Sequence, residues 1–445
     1  MKKAKKFLEN SVRVAVVAIA VANYFLIYVI NITLSRLLGA EDYGDYSVAV
    51  SVATLGFTLA LLGKDKLTVK QLAIYLQLHQ SAEARGFIVK NLQLILLTGA
   101  VLGLFLLGVY ELIHSDFQIA HGHPIVFAFL LIPLMAVVDF CSKILIADQR
   151  VLTSMLLYKL TMPLLFMSGL VVIELSRGYL TEISALFAFT LASLIVLVIF
   201  LVLIRRDLLS RLGRESPMAY RREWLTESLP YFVNSLVLVA MQSTGIFFLE
   251  LFRDPEGSVG VFAAVSHTAS VLITFFTATS ALFLPKLAPC IETRDWEQTR
   301  RVLRAAARTF SVIAAISGSI LFLFGEEILL LFGDGYASGY GPLTVLVAAN
   351  MVAVVFGMAT PVLQYAGHHR SVLTAYIVHL LANLLLNALL VERFEVWGAA
   401  WALALPRIAV TIYLAFLVWR EFGISVFPLG ASRHRRTQDS PESSR

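Results

Sequence analysis

An all-α, polytopic membrane protein is the fold class this sequence predicts, with about twelve transmembrane helices in two pseudo-symmetric six-helix bundles around a central cavity. Three observations carry that expectation. The 445-residue chain is 58% hydrophobic and only 15% charged, where soluble proteins carry roughly one quarter. Apolar runs recur along it, each near the roughly 20 residues that cross a bilayer. The pattern of six such runs in the first half repeats in the second, as in transporters built from two related bundles. The clearest echo is Tyr43-Gly44-Asp45-Tyr46-Ser47-Val48-Ala49-Val50 against Val259-Gly260-Val261-Phe262-Ala263-Ala264-Val265-Ser266.

The first bundle (1–204) holds spans at 14–34, 46–62, 88–110, 124–146, 151–173 and 183–204. Lys2, Lys3, Lys5 and Lys6 precede the first run, and Ala18-Ile19-Ala20 mimics a leader cleavage site. The apolar run nevertheless continues to Leu34, too long for a leader core, so it reads as a span. A basic linker at 205–227 follows, carrying Arg205, Arg206, Arg211, Arg214, Arg221 and Arg222. The second bundle (228–420) holds spans at 229–249, 259–284, 310–331, 343–364, 371–390 and 396–419. Trp397 and Trp419 bracket the last span at roughly 33 Å of helical rise, near the separation of interfacial tryptophans. The tail at 421–445 reads as cytoplasmic and disordered at its polar end.

Charge sets the expected orientation. Of the 36 Lys and Arg, only Arg36, Arg177, Arg253 and Arg393 fall in odd-numbered loops. The positive-inside rule then places both termini in the cytoplasm, in a cell (inner) membrane. The net charge of +6 describes an inner face suited to anionic lipid, and nucleic acid is not an expected partner. The segments 64–90 and 286–308 read as amphipathic helices on that face. No phosphate-binding glycine loop, paired catalytic carboxylates at membrane depth or nucleophile elbow is present, so the chain is not expected to be an enzyme and no cofactor is implied. His114, His121 and His123 share an outer loop without a carboxylate or cysteine at ligand spacing, and read as solvated rather than metal-binding.

Ionisable groups at membrane depth are expensive and point to function. Arg407 falls about 16 Å into its span, on a face with Ala400, Ala404 and Thr411, beside Pro406. Lys159 lies roughly 12 Å from the inner end of span five, and Asp139 at similar depth on span four. Asp139 has two candidate partners, Lys159 across the helices and Lys143 one turn along its own. Arg407, Lys159 and Asp139 are therefore the candidate substrate-binding residues. His379 and Asn383 on span eleven, and Asn234 and Gln242 on span seven, are secondary cavity candidates, although such groups more often join helices.

Several landmarks together resemble the oligosaccharide flippases of the multidrug, oligosaccharidyl-lipid and polysaccharide exporter superfamily. They are Leu34-Ser35-Arg36-Leu37-Leu38-Gly39-Ala40-Glu41-Asp42-Tyr43-Gly44-Asp45-Tyr46, Leu229-Pro230, Leu284-Pro285-Lys286-Leu287, Phe332-Gly333-Asp334-Gly335-Tyr336, Asn383 with Asn387, and Gly398-Ala399-Ala400. At the end of span seven Gln242-Ser243-Thr244-Gly245 replaces the aspartate-bearing pattern of the family. The resemblance implies a flippase that carries a polyprenyl-pyrophosphate-linked oligosaccharide, such as an O-antigen repeat unit, from the cytoplasmic to the outer leaflet by alternating access. It implies glycosyltransferases or a polysaccharide polymerase as partners. Three other readings compete: a cation-coupled exporter of organic cations, which needs an anionic cavity; a membrane-embedded polymerase or ligase of sugars, whose chemistry would be expected to draw on a sizeable outer loop that is missing; and a membrane scaffold for polysaccharide-assembly enzymes.

Overall fold

Apolar length decides the architecture. The computed structural model describes residues 2–113, 124–213, 218, 220–252 and 257–426, with side chains from residue 14 onward. His114, His121, His123, Arg214, Arg253 and the tail beyond 426 lie outside the described residues, as do the side chains of the N-terminal lysines. Among the described residues there is no strand, and ten helical stretches are long and apolar enough to cross a membrane. Two of these are double length, 14–61 with 48 residues and 369–422 with 54.

Both double-length stretches turn back on themselves. In α1 (Lys2–Leu61) the break is Gly39, whose φ of 84° suits a residue without a Cβ. Tyr43 donates to Asn31 Oδ1 at 2.9 Å, a contact impossible along one continuous helix, where twelve residues span about 18 Å. In α14 (His369–Phe422) the break is Glu395, and Asn383 donates to the Ala402 carbonyl at 3.0 Å across the fold. The sequence, read by hydropathy, places a separate span on each side of both breaks.

Between these lie α2 (Lys64–Gln77), α3 (Ser81–Ile113), α4 (Ile125–Ala147), α5 (Val151–Met155), α6 (Met162–Arg177) and α7 (Glu182–Leu203). The second half opens with α8 (Glu223–Phe252), then α9 (Ser258–Ala269), α10 (Val271–Glu292), α11 (Trp296–Leu330), α12 (Tyr340–Phe356) and α13 (Ala359–Tyr365). Within the first half α4 packs on α1 and α3; within the second α14 packs on α8 and α12. The halves meet mainly where α1 lies against α8, α9 and α10. The end of the molecule holding 62–64, 147–151 and 204–213 is called the basic end here, and the end holding Gly39, Gly257 and Phe332 the opposite end.

Of the two segments expected to be amphipathic surface helices, 64–90 contains one, α2, which exposes Lys66, Val69 and Lys70 on one face, and 286–308 does not form a helix of its own. α2 buries Lys64, Leu67, Thr68, Leu72 and Tyr75 on its other face, against α3, α4 and α8. Its Lys64 ammonium donates to the Trp224 carbonyl at 2.7 Å and to the Tyr220 hydroxyl at 3.3 Å. The indole of Trp224 in turn donates to the Tyr75 hydroxyl at 3.0 Å. The equivalent stretch in the second half forms no separate helix. There α10 and α11 simply extend and turn over 293–295, with Asp295 capping α11 through the Gln298 amide.

Candidate functional site

Proline chemistry builds the site. Pro163 has no amide hydrogen, so the Lys159 carbonyl four residues earlier loses its helical donor. The chain widens there into a π-helical turn over Leu156–Thr161, between α5 and α6. Such turns recur at functional positions. Asn23 of α1 supplies the missing donor, its side-chain amide bonding the Lys159 carbonyl at 2.7 Å. Lys159 is thereby presented from a widened turn rather than from a regular helix.

The Lys159 side chain faces two adjoining hollows of about 450 Å³ each, which share Asn23, Ile27, Lys159 and His267. The first lies between the halves. From α1 it takes Asn31, Ser47, Ser51 and Thr54, and from the second half Gln242, Ser243, Ser266 and His267. Its wall is therefore dotted with neutral hydrogen-bonding groups suited to hydroxyls. The second is a gap between α1 and α10, lined by Val16, Val17 and Ala20 on one side and Ile273, Ala278 and Ala281 on the other. It is mostly apolar and lies toward the basic end. Among the described residues no carboxylate lines either hollow or pairs with Lys159.

The opposite end is closed. At the depth of the hollows, before that end is reached, two tyrosines one turn apart that line the apolar gap fasten α1 to α9: Tyr24 donates to the His267 carbonyl at 2.7 Å, and Tyr28 lies 3.0 Å from the Thr268 hydroxyl. Further along, Ser35 donates to the Phe332 carbonyl at 3.0 Å. The Arg36 guanidinium bonds the Leu330 carbonyl at 3.1 Å and also that of Leu331. These carbonyls lie at the end of α11, where helical donors run out; that of Leu330 also accepts from the Gly333 amide at 3.2 Å. The two glycines of the sequence echo meet at this seam. A Cβ on Gly260 would overlap the Ala40 carbonyl, and one on Gly44 would stand 3.1 Å from the Gly260 nitrogen.

The sequence-predicted residues separate into three groups. Lys159 and Gln242 line the central hollow. Asp139 does not: it is buried and bonds Lys143 at 3.0 Å, so of its two candidate partners the one on its own helix holds it. The geometry is decided by the four-residue spacing, which sets both groups on one face of α4. Arg407 lies half-buried within the second half, bonded to the Asn350 side-chain oxygen, while the Asn350 amide donates to the Ala269 carbonyl at 2.8 Å. It is not among the residues lining the two hollows. His379, Asn383 and Asn387 are buried in the second half, where the Asn383 and Asn387 amides bond carbonyls of α14. Asn234 lies on α8, two turns from Gln242 toward the basic end, and lines neither hollow.

Asn23, Asn31 and His267 belong to the hollow and carry no distinctive sequence motif. Asn23 alone left a sign: a proline four residues after a membrane-depth lysine announces an orphaned carbonyl, and a buried amide on another span is the natural donor.

Residues 13–286 match the family described as Polysaccharide biosynthesis protein. No curated protein matches the chain. Among solved structures, the chain is similar to an inward-facing multidrug resistance MATE family transporter of the MOP superfamily, at 16% identity and a TM-score of 0.74, covering 92% of this chain and 98% of that one. The outward-facing conformation of a transporter of the same description gives 16% and 0.62, covering 92% and 95%. The MATE multidrug transporter DinF-BH gives 16% and 0.63, covering 95% and 96%. At this identity the likeness is one of fold, and the fold is that of the MOP-superfamily transporters.

Proposed function

Because this chain belongs to the polysaccharide biosynthesis protein family, we propose that it is a flippase for a polyprenyl-pyrophosphate-linked oligosaccharide, moved from the cytoplasmic to the outer leaflet. One observation carries the reading. A cation without a protein carboxylate among the described residues, Lys159, stands where a polar hollow joins an apolar gap between the halves. That pairing matches an amphiphile with an anionic, hydroxyl-rich head and a long hydrocarbon tail. Carrying an ionised pyrophosphate through hydrocarbon would cost tens of kcal/mol without compensation. A hydrated hollow with a fixed ammonium lowers that barrier, and the tail stays in lipid by way of the gap. With the basic end in the cytoplasm, an inside-negative potential favours outward movement of negative charge by roughly 2.3 kcal/mol per charge per 100 mV.

Lys159 is the headgroup cation in this reading, and Arg407 supports the second half through Asn350. The family's fold neighbours include multidrug transporters, and an organic-cation exporter is the rival function. It is disfavoured because the membrane-depth carboxylate Asp139 is engaged by Lys143 and lines neither hollow.

The test is leaflet-resolved detection of polyprenyl-linked sugar in cells carrying the native chain, a Lys159→Gln variant or none. The reading expects the intermediate to accumulate on the inner leaflet in the last two cases. Export at the native rate by Lys159→Gln would remove the carrying residue. Normal flipping in the deletion, with polymer synthesis lost, would favour the scaffold instead.

A further inference from the structure

A third hollow, of about 670 Å³, lies away from the central site, between α3, α4 and the end of α7. Its walls are apolar, among them Ile88, Leu92, Ile144 and Leu201, while Arg85 and Arg205 belong to the same lining. Along α3, Leu92 lies about 10 Å deeper than Arg85. The hollow thus begins at the basic end, where Arg85 and Arg205 stand, and runs along α3 toward Leu92.

Charge accounting at that mouth is uneven. Asp148 pairs with Arg150 at 3.3 Å and Arg211 at 2.6 Å, and Asp207 also pairs with Arg150. The nearby carboxylates are thereby consumed by Arg150 and Arg211. Arg85 bonds a neutral group, the Gly213 carbonyl, and among the described residues no carboxylate pairs with it. Arg205 is exposed on the π-helical turn over Ile204–Leu209, with no ion-pair partner among the described residues. Two uncompensated positive charges over a narrow apolar slot complement a phosphate carried on acyl chains.

We propose that this hollow is a binding site for an anionic phospholipid of the leaflet at the basic end, its phosphate between Arg85 and Arg205 and one acyl chain along Ile88, Leu92, Ile144 and Leu201. The site is separate from the cargo path and stands whether or not the central hollow carries a glycolipid. It fixes the turn that joins the first half to the linker, since Arg85 already ties α3 to Gly213.

Native mass spectrometry of the delipidated full-length protein, titrated with phosphatidylglycerol or phosphatidylcholine, tests it. The native chain is expected to hold one phosphatidylglycerol well above phosphatidylcholine. Arg85→Gln with Arg205→Gln is expected to weaken that binding about 30-fold, from roughly a fivefold loss per basic group at a headgroup surface. Arg304→Gln with Arg308→Gln, exposed on α11, is expected to leave it unchanged. Leu201→Trp keeps both arginines and fills the slot from the lipid side, so it is expected to expel the lipid by a route independent of charge. Undiminished phosphatidylglycerol binding in the arginine pair or in Leu201→Trp would overturn the proposal. So would equal affinity for phosphatidylcholine, or displacement by polyprenyl phosphate at equal concentration, which would assign the hollow to cargo.

Discussion

Replacing Arg36 with methionine should open the closed end of the molecule. The guanidinium makes two bonds across the halves, to the Leu330 and Leu331 carbonyls that terminate α11. Charge-assisted bonds are worth about 1.5–3 kcal/mol when well shielded. Arg36 is exposed, so the lower part of that range applies to the pair together, about 2 kcal/mol. Ser35, the Tyr24 and Tyr28 contacts and the glycine seam remain. Methionine keeps the apolar stem and removes only the charge. A loss of about 2 kcal/mol multiplies the ratio of open to closed molecules about 30-fold. The readout is a Ser47→Cys reporter, in a background where Cys141 and Cys290 are replaced by alanine. Ser47 is buried and lines the hollow below the seam. An impermeant maleimide applied from the Gly39 end should label it about 10- to 30-fold faster in Arg36→Met. An unchanged labelling rate would show that Arg36 decorates the rim and does not hold it shut.

Two further outcomes follow from single contacts. Asn23→Ala leaves the Lys159 carbonyl without a donor and should lower stability by about 1–3 kcal/mol, seen as a reduced melting temperature in detergent. Adding Pro163→Ala returns a backbone amide to the same carbonyl and should recover much of that loss, whereas additive losses would refute the coupling. Burial lowers the Lys64 pKa from its ordinary 10.5 to about 8. The folded protein therefore binds fewer protons than the unfolded chain between pH 8 and 10.5, so this group adds stability as pH rises through that window. Below pH 8 the folded chain bears the whole burial cost, at most about 3 kcal/mol. Thermal unfolding from about pH 7.5 to 10.5 should show a rising component in the native protein that Lys64→Met lacks.

Hydropathy made the spans and the two-part repeat legible because the bilayer demands about 20 apolar residues of each crossing, a constraint written locally. The letters of the seam stood out as landmarks and as the internal echo, although not as a contact between the halves. The landmark around Arg36 and Gly39, the one around Phe332 and Tyr336, and the paired Gly44 and Gly260 all come together there. Close backbone approach restricts residue choice, so it leaves marks in the letters. The central hollow was legible only in part. Depth along a helix identified Lys159, Asp139 and Arg407 alike, yet depth says nothing about the direction a side chain faces. Asp139 turned to Lys143, and Arg407 to Asn350, through partners placed by helix rotation and packing. Nothing short of the packed structure supplies that angle. Asn23 and His267 escaped because a single polar residue in an apolar run is also what helix-to-helix glue looks like.

Helix α1 links the features that the sequence presents separately. Toward Gly39 it carries Ser35 and Arg36, which hold the halves together at the closed end. Toward the basic end it carries Val16, Val17 and Ala20, one wall of the apolar gap. Between them Asn23 grips the carbonyl of the lysine that faces the hollow. A helical segment between these points is stiff, so a movement of α1 at the Arg36 contacts is transmitted to the gap beside α10. The same movement pulls on the widened turn that presents Lys159, because the Asn23 bond is its tether to α1. For the flippase proposed above, this ties the position of the ammonium to the movement of α1, which is what a carrier needs if its headgroup is to be held on one side and released on the other.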